Sequence, residues 1–191
     1  MKGTKFVASA LVAGMMLTGA GYAYWTDSVA ISNTVSTGEL DVSLSGSDVS
    51  DVSEYVTASV VNQADKAVSY RVENLYPGAS FNLKTTIQNS GSIPAVVSGV
   101  SVDNTDESDT LDKSKIFVSG TVGSYNVPRM TLSAFEGHFP SAAGANLRLE
   151  PNAAGMNVNL KIELDHTLTG DQLEDTDLSQ VLTVNFKQHN E

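Results

Sequence analysis

Three histidines, His138, His166 and His189, are the side chains best suited to metal or acid–base chemistry. None belongs to a His-Glu-x-x-His pair, which would set two imidazoles one helical turn apart around zinc. Asp165-His166 is a usable pair of ligand types if His138 approaches it, but no third ligand can be nominated, so solvated loop histidines are expected. His189 is two residues from the end and is expected to be mobile. The chain has no cysteine, so a thiol nucleophile, a disulfide and a lipid-modified cysteine anchor are all ruled out. No Gly-x-Ser-x-Gly elbow and no phosphate-binding glycine loop occurs.

Carboxylates come in runs. Asp103, Asp106, Glu107 and Asp109 form the densest, with Asp171, Glu174, Asp175 and Asp177 next. Calcium takes six or more oxygens, which an acidic loop can supply, but 103–109 lacks the Asp-x-Asp-x-Asp-Gly order. A solvated acidic loop is the expectation. Nothing in these patterns reads as catalytic machinery, and no cofactor or metal site is expected. With 22 acidic against 11 basic residues, the net charge of −11 disfavours nucleic acid and anionic membranes as partners.

The elements around these residues are strands. Lys2 and Lys5, the apolar run Phe6 to Leu17 and the small-x-small Gly21-Tyr22-Ala23 read as a secretion signal cut between Ala23 and Tyr24. The run is too short to span a bilayer, so no membrane contact is expected after cleavage. Beyond it, apolar residues alternate: Val29, Ile31, Val35; Leu40, Val42, Leu44; Val56, Ala58, Val60; Val68, Tyr70, Val72; Phe81, Leu83, Thr85, Ile87. Val96, Val100 and Val102 follow less regularly, then Ile116 and Val118, then Met156 to Leu164, then Leu182, Val184 and Phe186. Period two means strands with one buried face. Tyr76-Pro77-Gly78 and Asn89-Ser90-Gly91-Ser92 are turns. Residues 119–146, rich in Gly, Ser and Ala with Pro128 and Pro140, offer little regular structure, and helical signal is scarce.

Eight or nine short strands without a long helix predict an all-β, two-sheet antiparallel sandwich, jelly-roll or immunoglobulin-like. Phe81-Asn-Leu-Lys and Val158-Asn-Leu-Lys echo one another as two similar strands. The first strand, with no hairpin partner before it, needs a home. An open sheet edge of another copy offers unpaired N–H and C=O groups, with Val29, Ile31 and Val35 as plugs and Gly38 as hinge.

Ala23-Tyr24-Trp25-Thr26-Asp27, Asn33-Thr34-Val35 and Ser36-Thr37-Gly38-Glu39-Leu40-Asp41-Val42 resemble the start of the TasA/camelysin family of secreted biofilm-matrix proteins. Leu75-Tyr-Pro-Gly78, Ile87-Gln-Asn-Ser-Gly-Ser-Ile93 and Gln180-Val-Leu-Thr-Val-Asn-Phe186 resemble its later landmarks. The resemblance implies the jelly-roll form of the sandwich, cleavage by a dedicated signal peptidase, and export to the cell surface. It also implies homopolymeric filaments built by donor-strand exchange, with an accessory matrix protein as a further partner. The expected organisation is a signal at 1–23, a donor segment at 24–37 and a sandwich at 38–191. A camelysin-like metallopeptidase and a minor fibre subunit are the alternatives.

Overall fold

A computed structural model describes residues 37–105, 111–142, 147–169, 173 and 177–188, with the backbone alone at 139–142. The chain divides into two compact units, Met1–Thr37 and Gly38–Glu191, and the described residues belong almost wholly to the second. Ten strands occur among them: β1 Val42–Ser50, β2 Thr57–Ala64, β3 Ala67–Glu73, β4 Ser80–Asn89, β5 Ala95–Asn104, β6 Ile116–Val122, β7 Tyr125–Thr131, β8 Arg148–Leu149, β9 Met156–Leu164 and β10 Leu178–Gln188. One helix, α1 Leu132–Ala142, and one 3-10 turn, Lys113–Lys115, complete them. No helix here is long and apolar enough to cross a membrane.

The strands form two antiparallel sheets, β1-β4-β9-β6-β7 and β2-β3-β10-β5-β8. Their partners are nested: β3 with β10, β4 with β9, β5 with β8 and β6 with β7, the pairs alternating between sheets. Such a long hairpin rolled over itself is a jelly roll. β1 and β2 lie outside the nest, each added to one sheet beside β4 and β3.

The inner faces carry the expected alternation. In one sheet Phe81, Leu83, Thr85 and Ile87 of β4 stand opposite Ile162, Leu160, Val158 and Met156 of β9, and in the other Val68, Tyr70 and Val72 stand opposite Leu182, Gln180 and Leu178. The two echoed Asn-Leu-Lys segments pair with each other, Asn82 opposite Lys161 and Leu83 opposite Leu160. Tyr70 meets Phe81 across the sheets at 5.6 Å between ring centroids. Gln180 is fully buried and satisfied: the Tyr70 hydroxyl donates to it at 2.7 Å, and its amide donates to Asn104 at 3.0 Å. That pairing offsets the cost of burying an amide.

Two expectations need correction. Val96 is not the inward residue of β5; Ala95 and Val97 are, with Val100 and Val102. Against β10, Asn185 pairs with Gly99 but Phe186 with Val97, so Ser98 is an extra residue that flips the parity. Residues 119–146 are also more regular than expected, holding most of β6, all of β7 and α1. The Thr131 hydroxyl accepts from Ala134 N at 3.2 Å and caps the helix, and Leu132 and Phe135, one turn apart, are buried under it.

Candidate functional site

The described histidines are separately engaged. On α1, the His138 imidazole is hydrogen-bonded to the Tyr125 hydroxyl of β7. His166 projects into solvent after β9, 3.9 Å from Asp165. The Asp165 carboxylate is committed elsewhere, accepting from Thr167 N at 2.8 Å and Lys115 Nζ at 3.3 Å. The backbone hydrogen bond, chiefly, holds its pKa down to about 2. Glu163 is also lowered, first by its bond from Arg129, which stacks over Phe117 at 3.6 Å. Asp112 is lowered by accepting from Ser114 N. Among the described residues no three His, Asp or Glu side chains gather where they could hold a metal ion. The acidic stretch 106–109 and His189 lie outside the described residues.

Four strands end the two sheets, and an edge strand invites pairing unless it is blocked. β7 carries Pro128 and a bulge, Pro128 and Arg129 standing opposite Ser119 alone. β8 has only two residues, and α1 packs along the rest of β5 beyond it. There Glu136 Oε1 accepts from Val102 N at 2.8 Å and from Lys113 Nζ at 2.9 Å, taking the place of a neighbouring strand's carbonyl.

β1 is blocked by a side chain. Gln63 donates from Nε2 to Leu44 O at 2.9 Å and accepts from Ser47 N at 2.9 Å, while Leu44 N donates to Asp65 O at 2.6 Å. Gln63 reaches β1 because of a bulge in its own strand. Val60 pairs with Tyr70 and Asn62 with Ser69, so Val61 is extra and Gln63 acquires the inward parity of Val68. β1 bulges at the same place, with Gly46 at φ 62, a left-handed conformation that suits glycine. Ser47 donates to the buried Thr85 hydroxyl at 2.8 Å and fills the gap.

The chain enters β1 through a second clamp. Glu39 N donates to Ser92 Oγ at 2.8 Å, and Ser92 N and Ile93 N donate back to Glu39 O. Asn89, buried, orders this turn by donating to Ile93 O and Leu149 O and accepting from Gly91 N. The Asn-Ser-Gly-Ser turn thus serves as a seat for the start of the domain. A Cβ on Gly91 would lie 2.4 Å from Glu39 O, and one on Gly38 would lie 2.1 Å from Ile93 Cγ2. Gly38 therefore has a packing reason to be glycine beside the hinge role expected from sequence.

The sequence model of the camelysin metallo-endopeptidase family matches residues 2–117, more than half of the chain. The chain belongs to the camelysin family. The match runs through the N-terminal unit and into β6, so the remainder of the roll lies beyond it. No curated protein matches the chain. Against the family's description, the described donor set does not fit a metal: His138 is bound to Tyr125, and His166 stands beside a carboxylate already held by Thr167 and Lys115.

Ala23, Tyr24, Val29, Ile31 and Val35 lie outside the described residues. Sequence reasoning missed Gln63 and Glu136, the two side chains that close strand edges. Their only signals were a polar residue ending a strand run and a Thr131-Leu132-x-x-Phe135 helix start.

Proposed function

We propose that this camelysin-family protein is the exported structural subunit of an extracellular matrix fibre, adding head to tail by donating its N-terminal segment to the next copy. The observation that carries the reading is the self-sufficiency of the roll. β3 to β10 complete all four nested pairs without any residue before Gly38. The roll therefore does not call on the alternating segment 24–37, whose sequence suits a strand and whose backbone groups need a partner. The leader sequence supports export, and cleavage at Ala23–Tyr24 is the step that frees the segment. A contact repeated head to tail without closing a ring gives filaments. Electron microscopy of the mature protein, with its N-terminal residue determined, tests this. Deleting 24–36 is expected to leave a soluble monomer, and normal filaments from the truncated chain would sink the reading. Abundance in isolated fibres separates a major subunit from an accessory one.

The family's description favours a second reading, a secreted metallo-endopeptidase. Chelator-sensitive caseinolytic activity, lost in His138→Ala or His166→Ala, would establish it.

A further inference from the structure

The four sheet edges are not treated alike. β7 has its proline and bulge, β8 its shortness, β5 its helix, and β1 the Gln63 fork. β2 has no proline, no covering helix and no side-chain fork; it carries one bulge, at Val61, and is regular over Thr57–Val60. Its sequence, Thr57-Ala-Ser-Val-Val-Asn-Gln-Ala64, contains no proline, glycine or charge. Apart from its ladder with β3, no hydrogen bond runs from Thr57–Asn62 to another element among the described residues. Val61 is 65 % exposed, and Tyr55, just before the strand, 80 %. Ala58 and Val60, on the inward parity, are only half-buried and pack at the rim of the core. An uncharged edge with an exposed valine, uncovered among the described residues, is open to pairing with another strand.

We propose that the outer edge of β2 at Thr57–Asn62 is the docking site for the Ser28–Ser36 segment of a second copy. The proposal rests on the fibre reading and gives that contact its address. Three features match. The segment Ser-Val-Ala-Ile-Ser-Asn-Thr-Val-Ser is itself uncharged, so it meets β2 without repulsion in a chain of net charge −11. Nine extended residues span about 30 Å, enough to cover an eight-residue strand. Its alternation places Val29, Ile31 and Val35 on one face, beside Ala58 and Val60, whose burial is incomplete.

The chain's own segment is the competing occupant, which the exchange experiment below separates from that of a second copy.

The test uses the mature chain in three forms: unaltered, with Ser59→Lys and Val61→Lys on the edge, and with Val29→Asp and Ile31→Asp in the segment. Sedimentation is expected to find filaments only from the first, with circular dichroism and Tm unchanged in the variants. Mixed in equal amounts, the two variants are expected to form a dimer that grows no further, one supplying the segment and the other the edge. Filaments from the edge variant, or no dimer in the mixture, overturn the assignment while leaving the fibre reading intact. If the unaltered chain stays monomeric, the fibre reading fails. Hydrogen exchange with a synthetic peptide of residues 24–36 then decides the edge by itself. A tenfold or greater slowing over Thr57–Asn62 supports it, and no slowing overturns it. Slow exchange over those residues in dilute unaltered monomer, lost in Val29→Asp/Ile31→Asp, overturns the second copy in favour of the chain's own segment.

Discussion

The two flanks of the sandwich face the same problem and solve it differently. On the flank of β7, α1 and β8, exposed backbone is covered from within: a proline and bulge on one sheet, a helix and the Glu136 carboxylate on the other. On the flank of β1 and β2, only β1 is covered, by the single side chain of Gln63 and the carbonyl of Asp65. The first flank is closed from within, and the second is where the proposed contact with another copy would supply the cover. Edge protection is a cost that a chain bears where it has no use for an edge.

Substitutions can break this contrast, and the largest effect belongs to the helix flank. Phe135→Ala removes a ring that is 1 % exposed beneath α1 and is expected to cost about 3–5 kcal/mol in a denaturant melt. Glu136→Ala leaves the Val102 N–H without its acceptor and is expected to cost about 1–3 kcal/mol, largely recovered in Glu136→Gln. If Glu136→Ala is neutral, the helix is not guarding that edge. On the other flank Gln63→Ala is expected to cost only about 0.5–1.5 kcal/mol, with faster amide exchange confined to Ser47. Smallest of all, Val61→Lys is expected to change stability by no more than about 0.5 kcal/mol while stopping assembly.

A pH titration probes a part of the fold that belongs to neither flank. The Asp165 pKa is lower folded, at about 2, than its ordinary value of 3.8, so its carboxylate stabilises the fold above that ordinary value. That contribution is lost as pH falls from about 4 toward 2. Asp165→Asn is therefore expected to lower Tm at pH 7 and to flatten the acid limb of the Tm profile between pH 4 and 2. An unchanged acid limb would show that the Thr167 and Lys115 contacts do not persist in solution.

Much of the sandwich was legible because period two survives wherever one face is buried. Phe81 to Ile87 and Met156 to Leu164 read cleanly and became β4 and β9, paired without a register shift. The order of strands was not legible, since nothing local in β3 announces a partner as distant as β10. Parity failed where a bulge adds a residue, as at Ser98, because one extra residue moves Val97 inward and Val96 outward. The helix was hidden by the Gly/Ser/Ala background, although Leu132 and Phe135 after Thr131 carried its signature. Gln63 showed in the sequence only as a polar residue ending a strand run. Its role depends on the Val61 bulge, and a bulge shows only when the partner strand is known.

The account stands or falls on what touches β2. The chain has no cysteine, so an introduced pair reports one contact alone. Ser59→Cys on β2 is combined in turn with Ser28→Cys, Ser32→Cys or Thr34→Cys in the N-terminal segment, and mild oxidation is followed on a non-reducing gel. Two cysteines bridge only when their Cα atoms come within about 7 Å. The expected result is a ladder of intersubunit disulfides in at least one of the three registers, and none when Asn126→Cys on β7 replaces Ser59→Cys. Bridges confined to single chains, or a ladder formed only through β7, would contradict it.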